Sequence, residues 1–235
     1  METFSMEFFM ALGSIIVMDL ALAGDNAVVI AMAANKLPHE ERKKAILIGT
    51  GGAVAIRIAL TFIAVELLTI PYLQALGGLI LLPIAIGLLA PAHKGGEDAH
   101  IEAAHSLGAA IKTIIIADAA MSLDNVLSIA GAAQGHFLLV AAGLLISIPI
   151  VVAGSSILGT IMDRFPALMY VGAAIIGWTS GKMFLADGAL GETITGVFSS
   201  LGAAGHYVLP ALLALLVCVI GHLKARRQKA AEGVA

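Results

Sequence analysis

Apolar runs long enough to cross a bilayer recur along the chain, and no other feature constrains its fold as much. A helix rises about 1.5 Å per residue, so about 20 apolar residues cross the roughly 30 Å hydrocarbon core. In lipid every backbone N–H and C=O must be paired within the protein, which leaves only helices and closed barrels. Barrel strands alternate over about 10 residues, and no such alternation occurs here. The expected class is therefore all-α, a polytopic membrane protein in contact with the lipid bilayer. Composition agrees, with 60% hydrophobic and 12% charged residues in a chain of 235, against about 25% charged in soluble domains. No basic patch with interleaved aromatics is present, so nucleic acid is not an expected partner. The single cysteine, Cys218, lies in an apolar run and reads as packing. No signal-peptide cleavage pattern precedes the first span, which is expected to persist as a mature helix.

Seven transmembrane helices are expected, over roughly 8–34, 45–70, 72–91, 107–133, 137–161, 166–187 and 206–223. The turn and charge signals fall between them, in segments such as "NKLPHEERKK", "PAHKGGEDAHIEAAH" and "MDRFP". Ten of the 13 Lys and Arg residues lie in the first, third and fifth connections and the C-terminal tail. Arg57, Lys112 and Lys182 fall inside spans. Because cytoplasmic loops are enriched in Lys and Arg, the N-terminus is expected outside and the C-terminus in the cytoplasm, with the chain in the plasma (inner) membrane.

An internal repeat sets the organisation. "MDLALAGDNAVVIAMA" (18–33) aligns with "ADAAMSLDNVLSIAGA" (117–132). Asp19 meets Asp118, Asp25 meets Asp124 and Asn26 meets Asn125, each at an offset of 99. The chain has seven Asp and three Asn, and four and two of them fall in these windows. The copies sit in the first and fourth spans, so they cross in opposite directions. An inverted 3+3 repeat plus one extra helix follows: repeat one over 8–91, a cytoplasmic linker over 92–106, repeat two over 107–187, the extra helix over 206–223 and a basic tail over 224–235. Secondary transporters often have this architecture, with substrate sites near the midplane where the repeats meet.

Each membrane-buried Asp costs roughly 2.5–3.5 kcal/mol on insertion scales, so four require compensation by protons, partner cations or a metal. On a helix turning about 100° per residue, Asp19 and Asn26 share a face while Asp25 is swung round. Unwinding near Gly24 would turn both Asp25 and Asn26 inward. Carboxylate, carboxamide and carbonyl oxygens suit Mn2+, Ca2+ or Mg2+. The expected metal residues are Asp19, Asp25, Asn26, Asp118, Asp124 and Asn125, with Arg57 as counter-charge. Packing of protonated or Arg57-paired carboxylates is the bland alternative, but two matching Asp-x5-Asp-Asn sets fit it poorly.

The paired "AGDN" and "SLDN" segments, the basic first connection and "IPIVVAGSSILGTIMDRFP" resemble the TerC family in its short, single-domain branch, over about residues 7–187. The resemblance implies an integral membrane protein of metal-ion homeostasis, and in several members manganese efflux. It carries the acidic motif onto the six residues named above. One departure is Leu123 where the first copy has Gly24, which leaves the second motif without a glycine to unwind at.

Other polar residues weigh less. Glu66, Lys112 and Lys182 are expected near span ends, reaching the interface, with Glu66 a candidate for an outer vestibule. His93, His100 and His105, with Glu97, Asp98 and Glu102, read first as a solvated linker and second as a metal-capturing loop. Ser122 and Ser128 could add hydroxyl ligands, although Ser in a span usually bonds its own backbone. Gly154, Gly172, Gly177 and Gly181 would let helices approach closely.

The leading expectation is a secondary transporter, not an enzyme, that exports a divalent cation, best Mn2+, by alternating access. Protons are the natural counter-ion and a homo-oligomer is compatible. No nucleotide-binding loop occurs. An intramembrane aspartyl protease is a second reading, weakened because each motif Asp precedes Asn and four acids form two matched sets. A membrane factor that assists metal loading or assembly of other proteins is a third.

Overall fold

A computed structural model describes residues 6–63, 66–67, 70–89, 106–133 and 136–232. Its α-helices are α1 (Met6–Leu22), α2 (Gly24–Asn35), α3 (His39–Phe62), α4 (Leu73–Leu89), α5 (Leu107–Ala133), α6 (Phe137–Arg164), α7 (Leu168–Ala186), α8 (Gly191–Val197) and α9 (Gly205–Glu232). A 3-10 turn, Ser199–Ala204, precedes α9. By length and hydropathy α3, α6, α7 and α9 can each cross a membrane, and the bent pair α1–α2 makes a fifth apolar span. Helix α4 is apolar but shorter, at 17 residues. Lys112, Asp118 and Asp124 interrupt the apolar character of α5. The protein is an all-α, multi-span integral membrane protein. The histidine-bearing connection, with His93, His100 and His105, lies outside the described residues.

Glycine placement decides where the first helix breaks. Gly24 carries a helix-propensity penalty of about 1 kcal/mol relative to Ala, and α1 and α2 meet there at a 53° bend. Ala23 leaves the helical region at φ −89° and ψ 3°, with no side-chain cap. In the second motif Leu123 replaces the glycine, and α5 runs through unbroken.

Helix α3 packs on α5 and α6, α1 and α2 pack on α6, α4 packs on α7, and α9 leans on α7. One core cluster includes Ile30, Met32, Leu81, Ile114, Ile176 and Met183. The outer face of α9 shows Leu212, Leu215 and Val219, as a lipid-facing helix should. In lipid, close backbone approach matters more than apolar transfer. A methyl group added at Gly177 would lie 2.9 Å from the Ala214 Cα, and one at Gly172 would lie 2.6 Å from the Met32 sulfur. Gly181 meets the α9 backbone at Pro210, whereas Gly154 has open space.

Two connections are fastened by polar groups, one half-buried and one buried. Lys36, just after α2, donates to the Gly87 carbonyl of α4 at 2.6 Å. Burial, then the charge of Lys224, lowers its pKa to about 8. Asp187, just after α7 and 3% exposed, accepts backbone N–H groups from Ala75 at 3.1 Å, Ala189 at 3.0 Å and Leu190 at 3.1 Å. Burial alone would raise its pKa, but the backbone donors outweigh it and hold the carboxyl below its ordinary value. The carboxylate thus satisfies one otherwise orphaned donor in the first turn of α4, Ala75 N–H, and two in its own connection. Asp187→Ala should lower unfolding stability by about 3 kcal/mol, the cost of stranding buried donors. Because the folded pKa is depressed, this stabilisation should be complete above the ordinary carboxylate range and fade as pH falls through the folded value. Thermal unfolding in detergent, wild type against variant across acid pH, reads both effects.

Candidate functional site

The motif residues surround the α1–α2 bend and the middle of α5. Asp19 ends up 2% exposed on α1 and Asp118 5% exposed on α5, one from each motif copy. Between them stands Arg57 of α3, itself 3% exposed. Its Nη1 donates to Asp19 Oδ1 and its Nη2 to Asp118 Oδ1, each at 2.5 Å. Its Nε donates to Ser122 Oγ at 2.9 Å, and that hydroxyl donates to Asp118 Oδ2 at 3.2 Å. Ser122 is one turn beyond Asp118, so the helix itself brings the hydroxyl over the carboxylate.

With both acids ionised, charge in this network would not cancel: two carboxylates around one guanidinium would leave one negative charge in a buried pocket. Charges in low dielectric require compensation, so a proton or a further cation belongs there. The same pocket is lined by Asn26 and Thr50. Asn26 Oδ1 and Nδ2 and the Thr50 hydroxyl are buried with no hydrogen-bond partner among the described residues. A buried amide without partners costs several kcal/mol in an apolar medium, on the order of 2–7. The pocket volume is ≈ 10 Å³, about what one water-sized occupant needs.

Asp25 goes elsewhere. It lies in the first turn of α2, where its Oδ1 accepts its neighbour's N–H, Asn26 N, at 3.0 Å. Its Oδ2 accepts the Thr179 hydroxyl of α7 at 3.0 Å. A carboxylate at a helix N-terminus is favoured by the backbone dipole. Asp25, Asn125, Thr179 and Lys182 line a second cavity of ≈ 180 Å³. The structure therefore gathers Asp19, Asn26, Asp118 and Arg57 in one pocket and Asp25 with Asn125 in another. The side chains of Asp124 and Ser128 lie outside the described residues. Among the described residues, no three His, Cys, Asp or Glu side chains form a metal-binding group.

Three participants carried little sequence signal. Thr50 and Thr179 look like ordinary span hydroxyls, and Lys182 looks like a snorkelling end residue. Only tertiary packing places them beside Asn26 and Asp25. Glu66 is exposed.

The chain matches the integral membrane protein TerC family over residues 4–229. It is 42% identical over 210 residues to the uncharacterized membrane protein YjbE of Bacillus subtilis, covering 89% of this chain and 91% of that protein. It is 30% identical over 181 residues to the uncharacterized membrane protein YkoY of the same organism, covering 70% of this chain and 56% of YkoY. The inner membrane protein YgdQ of Escherichia coli K12 shares 24% identity over 189 residues, 73% of this chain and 79% of that protein. No solved structure matches the chain significantly. With the family match spanning nearly the whole sequence, the chain belongs to the TerC family of integral membrane proteins.

Proposed function

We propose that the protein is a secondary transporter that exports a divalent cation, with Mn2+ the best-fitting cargo. One observation carries this reading: the equivalent aspartates of the two motif copies converge on a single buried cation position, beside a carboxamide and a hydroxyl with no hydrogen-bond partner among the described residues. The ligands on offer are hard oxygens, which suit Mn2+, Mg2+ or Ca2+ better than Cu+. Arg57 holds the cation position while no metal is present. A dication arriving there displaces the guanidinium from at least one carboxylate, and a proton can balance the charge when the metal leaves. Asp25 and Asn125, with Thr179, make a second station on the same path.

The seven-span reading with inverted repeats is part of the proposal. Repeat one is then α1–α2, α3 and α4, and repeat two is α5, α6 and α7, with α9 as the extra span. Packing supports the exchange of halves: α3 meets α5 as α6 meets α1–α2, while α3 pairs with α6 and α4 with α7. The lysine and arginine distribution supports an N-terminus outside and a C-terminal tail in the cytoplasm. An inner-membrane relative agrees with location in the inner (plasma) membrane. Reporters fused at the C-terminus and in the segment between α7 and α9 should report opposite sides; the same side for both would eliminate the topology.

Mn2+ retention in cells tests the function. Cells expressing the wild type should accumulate less Mn2+ than control cells. Equal amounts of Asp25→Asn and of Asp124→Asn protein should each restore control accumulation. The double variant should be no worse than either single one, since residues acting as a unit are non-additive. Near-normal export by one single variant would mark its motif as a relic of duplication.

A further inference from the structure

A larger cavity, of ≈ 350 Å³, lies between α2, α3 and α6 and is not used by either motif. It adjoins the Arg57 pocket along the same three helices. On α2 Ala31 lines the cavity and Ile30 lines the pocket; on α3 Ile46 lines the cavity and Thr50, one turn on, the pocket. On α6 Ser155 lines the cavity and Val151, one turn back, the pocket. Ile30, Ile46 and Val151 thus form an apolar division between the two.

At the far end of the cavity stands a second arginine held wholly by oxygen. Arg42 Nη1 pairs with Asp163 Oδ2 of α6 at 2.5 Å. Its Nε donates to Leu37 O at 2.9 Å and its Nη2 to Asn35 O at 3.0 Å. Asn35 ends α2 and Leu37 lies two residues beyond it, so both carbonyls sit at the negative pole of that helix. One carboxylate and two carbonyls are a hard-cation ligand set, and a guanidinium fills it, as Arg57 fills the deeper one. The Arg42–Asp163 pair also ties α3 to α6.

We infer that this cavity is the vestibule through which the ion reaches the buried site from the side bearing the basic connections, and that Arg42–Asp163 is its latch. The inference rests on the transport reading for its cargo, a hydrated divalent cation. Six waters of hydration occupy roughly 180 Å³ at about 30 Å³ each, so the cavity admits the ion with its shell. Release of Arg42 frees Asp163, which already faces solvent, and the Asn35 and Leu37 carbonyls to bind the ion, and parting of Ile30, Ile46 and Val151 passes it inward. Lys43, which is exposed and also lines the cavity, can extend into water without crossing this path.

Thiol accessibility tests the vestibule without relying on transport. In a Cys218→Ser background, Ser156→Cys lines the cavity and Ile157→Cys, at a position 60% exposed on the outer face of α6, serves as the control. A membrane-impermeant thiol reagent added to the basic-tail side of membrane vesicles should label Ser156→Cys several-fold faster than Ile157→Cys. Adding Asp163→Asn, or Arg42→Gln as an independent opening, should raise the Ser156→Cys rate several-fold further, and Mn2+ should slow it. Equal labelling of the two cysteines would overturn the vestibule, and no acceleration by either opened latch would overturn the latch. Labelling as expected in a protein that moves no Mn2+ would leave the vestibule standing and remove its cargo.

Discussion

Arg57→Met will leave Asp19 and Asp118 facing each other without their shared cation, and the protein will lose about 3–5 kcal/mol of stability, as expected when one partner of a buried ionic group is removed. The cost comes from the two carboxylates, which are at most 5% exposed and held at 2.5 Å from the guanidinium. Melting followed by size-exclusion in detergent should show the variant unfolding far below the wild type. Neutralising the acids as well removes the cause: Asp19→Asn/Arg57→Met/Asp118→Asn should recover most of the lost stability. If Arg57→Met melts like the wild type, the network does not carry the charge balance assigned to it. The recovered triple variant should still fail to move metal, because its carboxylates are gone.

The opposite dissociation is expected for the acids alone. Asp19→Asn or Asp118→Asn leaves one carboxylate against one guanidinium, a network that is neutral without a further proton or cation. Each variant should be at least as stable as the wild type, yet Mn2+ export should fall to the background of control cells. Such a gain in stability with a loss of activity is the signature of a site kept strained for function. Together the two variants should be no more defective than either alone. A variant that loses stability and activity in step would instead mean that the carboxylates are structural.

Much of this arrangement could be read along the chain, for reasons that particular residues make plain. Apolar runs identify helices because lipid offers the backbone no other partner. The constant spacing between the motif copies anticipates that Asp19 and Asp118 occupy related places. Gly24 against Leu123 anticipates a break in the first motif and continuity in the second, and the 53° bend and unbroken α5 follow that difference. Less legible was the partition of the polar residues. Asp25 is six residues beyond Asp19, about 600° of helical rotation, and so faces away from it. The bend does not bring the two carboxylates together; it seats Asp25 at the start of α2, against Thr179. Arg57 as a counter-charge can be guessed from its depth, but its choice of Asp19, Asp118 and Ser122 depends on how α3 crosses α1 and α5. The ion pair between Arg42 and Asp163 joins residues 121 positions apart and leaves no local trace.

A resting pocket filled by an arginine also explains how so acidic a motif can sit in lipid without metal. In the proposed transport cycle the guanidinium, a proton and the ion are alternatives for one place. Alternating access would then need the metal to be strong enough to move Arg57 and the proton able to return it. Which ion does this is set by oxygen ligands and by how many waters are lost on the way in.

Flux through the purified protein is the direct test of transport. Wild-type protein and Asp118→Asn, reconstituted at equal density into liposomes holding a Mn2+-sensitive dye, are given external Mn2+ under an imposed pH gradient. Uptake with the wild type should be saturable and gradient-dependent, and uptake with Asp118→Asn should not exceed that of protein-free liposomes. Wild-type uptake no faster than in protein-free liposomes, or equal uptake by the two proteins, would contradict the transport reading.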